Sequence, residues 1–238
     1  MKHRSASSNV PTSTSGAPDW DAPAIDAVLA LCSQVPATAT EQLRSYAALL
    51  FRWSASISLV SAVDRPFLVA RHLAPCVAMT PTVASLPHAT ILDFGSGGGL
   101  PGIPLKIMFP DSRIILVESR RKRVNFLREV ARSLELSALD IIHDRLEHCL
   151  IDGAAEGAGR VDLVVARAVD DPAEVVRATS PALHPGGHVV VTLGPDWNPA
   201  PTIPGAVLRE VVWADGRLRL GIFEGSVEPK HLSTEKAT

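Results

Sequence analysis

Residues 91–107 read ILDFGSGGGLPGIPLKI, an apolar run that passes into a loop with four glycines in five positions. The apolar run predicts a buried strand, and the residues after the loop predict a helix. Glycine has no Cβ, so such a loop lets the backbone come close to a ligand or to a neighbouring helix. Gly97, Gly99 and Gly102 fit the GxGxxG spacing, which is typical of nucleotide-binding loops between a strand and a helix.

The chain around this loop alternates between apolar runs and amphipathic stretches. The apolar runs predict strands at 90–94, 113–118, 139–143, 162–168 and 188–193. The amphipathic stretches predict helices from the loop to about Phe109, over 120–134 and near 172–183. Two further runs, 206–213 and 217–223, flank Asp215-Gly216 and predict an antiparallel hairpin. We therefore expect an α/β, Rossmann-like fold with a mostly parallel seven-stranded sheet that ends in this hairpin.

The N-terminal part of the chain predicts a separate helical extension. An amphipathic pattern runs from Ile25 to about Val35, a second helix over 41–53 has Thr40 as its cap, and a third starts near Pro66. The predicted organisation is a disordered tail over 1–19, the helical extension over 20–80, the α/β domain over 81–225 and a flexible tail over 226–238.

The bulk composition excludes several classes of protein. A formal net charge of −2 gives no overall polycation, so a nucleic-acid partner requires a local basic patch. Cys32, Cys76 and Cys149 form no CxxC pair and the eight histidines form no HExxH, so we expect no disulfide framework and no metal site. The apolar stretches are too short or too interrupted to span a bilayer, and a cytoplasmic monomer is the expectation.

Two cofactor classes suit the glycine loop, a dinucleotide and S-adenosylmethionine (SAM). Glu118 follows the second strand about 20 residues on, where the ribose of either cofactor is held. Asp93 suits a cationic sulfonium or ammonium group and is poorly placed beside a pyrophosphate. Pro101 and Pro104 remove N–H groups that a phosphate uses. Together with the hairpin these features favour SAM; a dehydrogenase, or glycines that serve only helix packing, are the alternatives.

Several stretches resemble one known family: DFGSGGGLPGIPLKI (93–107), LVESRRKRVNFLREV (116–130), DRLE (144–147) and ARA (166–168). They are similar to the small-subunit ribosomal RNA methyltransferase G family, also called glucose-inhibited division protein B. The resemblance runs from about residue 45 to 223. It implies a class I SAM-dependent methyltransferase domain over 81–225, which methylates N7 of a guanine in the 16S rRNA of the 30S subunit.

The resemblance also implies roles for individual residues. The family's SAM contacts fall on Gly95 and Leu100, on the pair at 146–147 and on Arg167, while Glu118 takes the acidic place on the ribose. With the acid of the first strand and the loop glycines, the predicted cofactor-binding residues are Asp93, Gly95, Gly97, Gly99, Leu100, Glu118, Leu146, Glu147 and Arg167.

Methylation of guanine N7 requires few catalytic groups from the protein. N7 has an in-plane lone pair and no proton, so its methylation needs in-line placement rather than a general base. The fourth strand ends VARAVDDP (164–171), without the Asn/Asp-Pro-Pro-aromatic signature of enzymes that methylate exocyclic amines. No nucleophilic cysteine of the cytosine C5 type is evident. We therefore assign no catalytic residue and expect a proximity mechanism, in which Arg167 is a candidate for positioning the substrate.

Basic residues concentrate between 113 and 132, where seven stand against two acids. Arg121, Arg128 and Arg132 share one helical face opposite the apolar stripe, which favours either phosphate contacts or an ordinary solvated surface. Arg123 is either a further RNA contact or a brace for the loop. The predicted RNA-binding residues are Arg71, His72, Arg121, Arg123, Arg128 and Arg132.

Three positions depart from the family's pattern. Its RHxxDS reads RHLAPC here, with Pro75 and Cys76 in place of the acid and the serine. Its Asn-Leu-Thr reads Ser-Leu-Val at 58–60, and its Leu-Lys-Gly reads Leu-Gly-Pro at 193–195, so Gly194 removes an expected basic group. These departures keep open a divergent methyltransferase for a small molecule or a protein, and a SAM-binding, ribosome-associated protein without turnover.

Overall fold

The fold is taken from a computed structural model. It describes residues 22–145, 160–169, 171–194, 206–213 and 216–225. The two predicted tails, the predicted cofactor residues Leu146 and Glu147, and Asp215 of the predicted hairpin turn lie outside the described residues.

One seven-stranded sheet organises the described chain, in the order β3-β2-β1-β4-β5-β7-β6. The strands are β1 Thr90–Phe94, β2 Arg113–Val117, β3 Leu139–Ile142, β4 Val161–Ala166, β5 Leu183–Leu193, β6 Val207–Trp213 and β7 Gly216–Glu224. Strands β1 to β5 pair in parallel, whereas β7 lies antiparallel between β5 and β6. The predicted Rossmann-like fold with its terminal hairpin is confirmed.

The strand order reverses direction between β1 and β4. In open parallel sheets the crevice outside the carboxyl ends of the strands at such a reversal is where ligands bind. Phe94 and Ala166 are register partners at these two carboxyl ends. The glycine loop follows Phe94 directly, and Arg167 follows Ala166. The topology alone therefore brings two of the predicted site segments to one edge of the sheet.

Helices cover both faces of the sheet. They are α1 Ala22–Leu29, α2 Ala39–Ser54, α3 Ala74–Ala78, α4 Thr80–Ala84, α5 Gly102–Met108, α6 Arg121–Ser133 and α7 Pro172–Thr179. Short 3-10 turns lie at Arg65–Phe67 and Ser180–Ala182, and one π-helical turn lies at Val69–Leu73. Within the described residues, no helix is long and apolar enough to cross a membrane.

The helical extension differs in detail from its prediction. Helix α1 ends at Leu29 rather than near Val35, and the amides of Leu31 and Cys32 then bond three residues back, to Val28 and Leu29, as a tighter turn. Helix α2 begins at Ala39 with Thr38 at its N-cap position, so Thr40 lies inside the first turn and its assignment as the cap is wrong. The single helix predicted near Pro66 is a series of short turns, since prolines at 66, 75 and 81 interrupt the backbone ladder.

Two apolar clusters pack on opposite faces of the sheet. Successive residues of β1 point to different clusters, as the period of a strand requires: Ile91 to one and Leu92 to the other. The cluster around Ile91 also contains Leu43 of α2, Leu73 of the π-helical turn and Leu127 of α6. The helical extension therefore packs into the same apolar cluster as α5 and α6, the helices on that face of the sheet.

Candidate functional site

A cavity of about 370 Å³ opens at the carboxyl ends of β1 and β2, in the size range of small-molecule sites. It is lined by Phe94, Gly95, Val117, Glu118, Ser119, Arg120, Arg123, Asp144 and Arg145. Among the predicted cofactor residues, the structure brings Gly95 and Glu118 together on its wall, with the predicted RNA contact Arg123 beside them. The loop glycines at 97 and 99 and Leu100 follow Gly95 directly in the chain.

The loop glycines serve two different purposes. Gly95, with φ of +68°, has open space around the position of a Cβ, so it borders the cavity. A Cβ on Gly99 would meet Ile103 Cγ1 at 2.5 Å, and one on Gly102 would meet Leu116 Cδ2 at 2.4 Å. Close packing therefore accounts for Gly99 and Gly102, whereas the positive φ accounts for Gly95, which lies on the cavity wall.

The amides of the loop are largely occupied within the protein. Gly97 N–H donates to Glu118 Oε2 at 3.0 Å, and Gly102 N–H donates to Asp93 Oδ2 at 2.9 Å. The amides of residues 96, 99, 100 and 103 donate to backbone carbonyls, while residues 101 and 104 are prolines. A pyrophosphate needs free amides at the helix start. This arrangement disfavours the dinucleotide alternative.

Asp93 lies behind the loop rather than on the cavity wall. Its side chain is fully buried, Oδ2 binds the Gly102 amide, and Oδ1 has no hydrogen-bond partner among the described residues. Burial raises the pKa of this carboxyl to about 7, although the hydrogen bond from Gly102 opposes the rise. Asp93 thus fixes the start of α5, and its contact with a cofactor stays a prediction.

Glu118 fixes both the loop and the start of α6. It is almost completely buried, Oε2 accepts from the Gly97 amide and Oε1 accepts from the Arg120 amide at 2.7 Å. Arg123 Nη1 lies 3.6 Å from Oε2 and its Nη2 donates to the Ser58 carbonyl at 2.9 Å. Arg123 therefore spans from the cavity wall to the helical extension. A carboxylate has about four lone-pair sites, so two remain for a ribose.

Arg167 is held at the end of β4 by the π-helical turn. Its Nη2 donates to the Arg71 carbonyl at 2.8 Å, and both terminal nitrogens lie 3.3 Å from His72 Nδ1. Arg71 Nη1 in turn lies 2.7 Å from Asp64 Oδ1. The structure therefore brings together three predicted residues, Arg71, His72 and Arg167, and adds Asp64, which carried no sequence signal as a lone acid in a loop.

His72 is neutral in this arrangement. Because the guanidinium of Arg167 can only donate, His72 Nδ1 is the acceptor and its proton is on Nε2, 3.6 Å from Asp64 Oδ2. Burial, and next the charge of Arg167, lower the pKa of His72. The cluster therefore carries the guanidinium charges of Arg71 and Arg167, and His72 adds no positive charge.

The basic face of α6 lies apart from the cavity. Arg121, Arg128 and Arg132 are all exposed, as the predicted stripe requires. Arg132 is paired with Glu129 at 2.8 Å, so part of its charge is balanced locally. Arg123 does not belong to this face, since it lies in the cavity wall.

The departures from the family pattern occupy structurally tolerant places. Pro75 lies in the first turn of α3, where a missing N–H costs little. Cys76 is fully buried and donates to the His72 carbonyl, and burial raises the pKa of its thiol to about 12, so it is no nucleophile. Arg219 of β7 donates to the Gly194 carbonyl at 2.9 Å. Gly194 itself offers no basic side chain, and Arg219 of the neighbouring strand brings a guanidinium beside it.

The described residues contain no group of three or more His, Cys, Asp or Glu placed to hold a metal ion. The sequence model of the family described as rRNA small subunit methyltransferase G (GidB) matches residues 39–196, well over half of the chain. The chain belongs to this family. Its fold places the glycine loop, Glu118 and Arg167 at the carboxyl ends of β1, β2 and β4.

Named relatives agree with that assignment, and one solved structure shares the fold. The rRNA small subunit methyltransferase G family includes a member from Stenotrophomonas maltophilia that is 40% identical over 152 residues, 64% of this chain and 68% of that protein. A member from Lachnoclostridium phytofermentans is 32% identical over 150 residues, 63% of this chain and 61% of that protein. The crystal structure of MtNAS in complex with MTA and tNA has a TM-score of 0.51 at 16% identity and covers 77% of this chain and 70% of its own. That likeness shows the fold alone.

Proposed function

We propose that this protein transfers the methyl group of SAM to N7 of a guanine in 16S rRNA of the small ribosomal subunit. The observation that carries the proposal is the cavity between Gly95 and Glu118, one strand away from Arg167. Family membership supports it, since the relatives are named ribosomal RNA small subunit methyltransferase G. In this proposal residues 81–225 form the methyltransferase domain and 20–80 an extension that builds its substrate side.

The residues around the cavity fit SAM better than a dinucleotide. The open side of Gly95 leaves room for a ligand, and Glu118 keeps lone pairs for a ribose. The buried Oδ1 of Asp93 lacks a partner among the described residues, and a cationic group reaching it supplies one. The proposed cofactor set also keeps Gly97, Gly99 and Leu100 in the loop. Leu146, Glu147 and Arg167 complete it as expectations from the family.

The proposed reaction needs placement more than acid–base chemistry. SAM supplies an electrophilic methyl group on a sulfonium, and guanine N7 offers a lone pair with no proton to remove. Cys76 is buried with a raised pKa, so covalent attack by this thiol on a base is excluded. Arg167, anchored by Arg71 and His72 at the end of β4, is the proposed positioning residue.

RNA contacts are proposed for two separate basic regions. One is the anchored pair Arg71 and Arg167 at the end of β4. The other is the exposed face of α6, with Arg121 and Arg128 and the partly balanced Arg132. Phosphate contacts release counterions, so RNA binding should weaken steeply as salt is raised.

The decisive experiment is transfer of labelled methyl groups to 30S subunits from a strain that lacks the corresponding gene. Mass spectrometry of digested 16S rRNA should show 7-methylguanosine, and the deletion strain should lose that nucleoside and regain it on complementation. Label in a protein or a small molecule contradicts the rRNA target. Binding of SAM without transfer to the subunit supports the alternative of a binding protein.

Substitution of Arg167 separates its two proposed roles. If Arg167 positions the RNA, Arg167→Gln raises the KM for 30S subunits about tenfold, the loss of one charge-assisted contact, with the Kd for SAM unchanged. If it contacts the cofactor, the Kd for SAM rises instead. Arg217→Gln is the matched control, because Arg217 is an exposed arginine of β7 paired only loosely with Glu210, at 3.8 Å.

A further inference from the structure

An exposed aromatic ring stands beside the anchored arginines and has no part in the site described so far. Phe67 ends the 3-10 turn before the π-helical turn, and 49% of it is exposed. Val63, four residues earlier, is 76% exposed. Single exposed apolar residues are common on protein surfaces. The exposure of this ring therefore indicates a function only in combination with its position.

Phe67 is fixed to the substrate side of the site through Arg71. The guanidinium carbon of Arg71 lies 4.3 Å from the centroid of the Phe67 ring, which is cation–π distance. The same arginine is held by Asp64 through its side chain and accepts from Arg167 through its carbonyl. The ring, the Arg71 guanidinium and Arg167 therefore form one connected unit at the end of β4.

The chemistry of this surface matches a nucleobase. Unpaired RNA bases bind by stacking on aromatic rings and arginine planes, while nearby guanidinium groups meet the phosphates. Arg65, two residues before Phe67, stacks on Phe51 at 4.6 Å and adds a further cation to the same turn. Two exposed apolar side chains are too few for a hydrophobic protein interface. An exposed ring with a guanidinium against one face suits a base and its phosphate.

We propose that Phe67 is a stacking platform for an unpaired base of the RNA substrate, next to the methylated guanine. The platform consists of the Phe67 ring with the Arg71 guanidinium on one face. This inference rests on the proposed function, since it assumes that RNA is the substrate. It adds a recognition residue outside the glycine loop and outside the basic face of α6.

The test compares three substitutions of Phe67 by methyl transfer to 30S subunits. Phe67→Ala and Phe67→Leu should each raise the KM for the subunit at least fivefold, because stacking on an aromatic side chain is lost. Phe67→Tyr keeps the ring and should stay within twofold of the unmodified protein. The kcat and the Kd for SAM should be unchanged in all three, because Phe67 does not line the cavity.

Leu208→Ala is the matched control, since Leu208 is 44% exposed on β6, at the far edge of the sheet from β1 and β2. It should leave the KM unchanged. A KM within twofold for Phe67→Ala overturns the platform, and so does a wild-type KM for Phe67→Leu, which keeps apolar area without a π face.

Direct binding of 16S rRNA distinguishes failure of the platform from failure of the proposed function. If the unmodified protein transfers no methyl group to rRNA, the proposed function fails, and the binding comparison of Phe67→Ala with Phe67→Tyr still decides about the platform. If the unmodified enzyme is active and all three variants match it in KM and in rRNA affinity, only the platform fails.

Discussion

The hydroxyl of Tyr46 donates a 2.6 Å hydrogen bond to the carbonyl of Gly98, joining α2 to the middle of the glycine loop. Tyr46 is fully buried, and Leu50 and Leu59 lie against the same glycine. The helical extension therefore packs directly against the glycine loop, and this packing fixes the conformation of the loop backbone that borders the cavity.

Tyr46→Phe should loosen this loop. The change keeps the ring in the core and leaves a buried carbonyl without its donor, a loss of about 1–3 kcal/mol in the free energy of unfolding. The Kd for SAM, measured by titration calorimetry, should rise several-fold. Ser54→Ala, which removes a hydroxyl bond of the same helix to the Leu50 carbonyl, is the control and should leave the Kd unchanged.

Asp93→Asn should change how stability depends on pH. The pKa of Asp93 is about 7 in the folded protein against 3.8 for an ordinary carboxyl, so the folded state holds a proton that the unfolded state has released. The free energy of unfolding therefore falls as pH rises from about 4 to about 7, by up to about 4 kcal/mol from this group. In urea unfolding, the free energy of unfolding of Asp93→Asn should therefore increase over that range relative to that of the unmodified protein. Asp140→Asn, at an exposed position, is the control. Parallel pH profiles for both proteins would contradict the assignment.

The affinity for SAM should rise with pH near neutrality. A cationic ligand close to Asp93 favours its ionised form, so binding releases a proton and tightens as pH increases through about 7. Calorimetry between pH 6 and 8 should show a several-fold fall in the Kd that is absent from Asp93→Asn. S-adenosylhomocysteine, which lacks the sulfonium charge, should show the weaker dependence. Equal pH profiles for SAM in both proteins would show that Asp93 does not meet the cation.

Glu118→Ala should weaken SAM binding at least tenfold, because it removes the proposed ribose acceptor and the partner of the Gly97 and Arg120 amides. Glu118→Gln keeps one acceptor oxygen and should lose less. Glu129→Ala removes only the surface contacts of α6 with Arg132 and Ser133 and serves as the control. Unchanged SAM affinity in Glu118→Ala would remove Glu118 from the site.

Gly102→Ala should destabilise the fold by about 1–3 kcal/mol, the cost of overpacking a core position. The new methyl group has no room beside Leu116 and the Asp93 carboxylate. Thermal unfolding measures the effect. Gly194→Ala, where a Cβ meets nothing within 4 Å, should unfold like the unmodified protein.

The sheet could be predicted because its signals are local. Buried strands are short apolar runs, the α6 stripe repeats with helical period, and Asp215-Gly216 sits between two strand-forming runs, so each element is specified by its own residues. The ends of the helices in the extension were less predictable. Closely spaced prolines and alanines support several kinds of turn, and packing against the sheet chooses among them.

The pairings within the site lie beyond such local signals. Asp64 with His72, Arg167 with Arg71, and Arg219 with Gly194 each depend on where separate segments meet in three dimensions. Arg219 shows this most clearly: it faces the end of β5 only because β7 runs antiparallel beside that strand. The sequence shows that Gly194 replaces the lysine of the family pattern. It does not show that Arg219 lies beside Gly194.

The core that joins α1 to α4 with the inner face of the sheet has a consequence for engineering and for divergence within the family. The extension cannot be exchanged as a detachable module, because it carries the donor to Gly98 and the acceptor for Arg123. A chimera with a relative should keep everything from α1 through α6 from one parent. The hairpin β6–β7 adds Leu218, Leu220 and Ile222 to the same core, so it should come from that parent as well. New substrate preferences in this family are therefore expected to arise together with changes around the glycine loop.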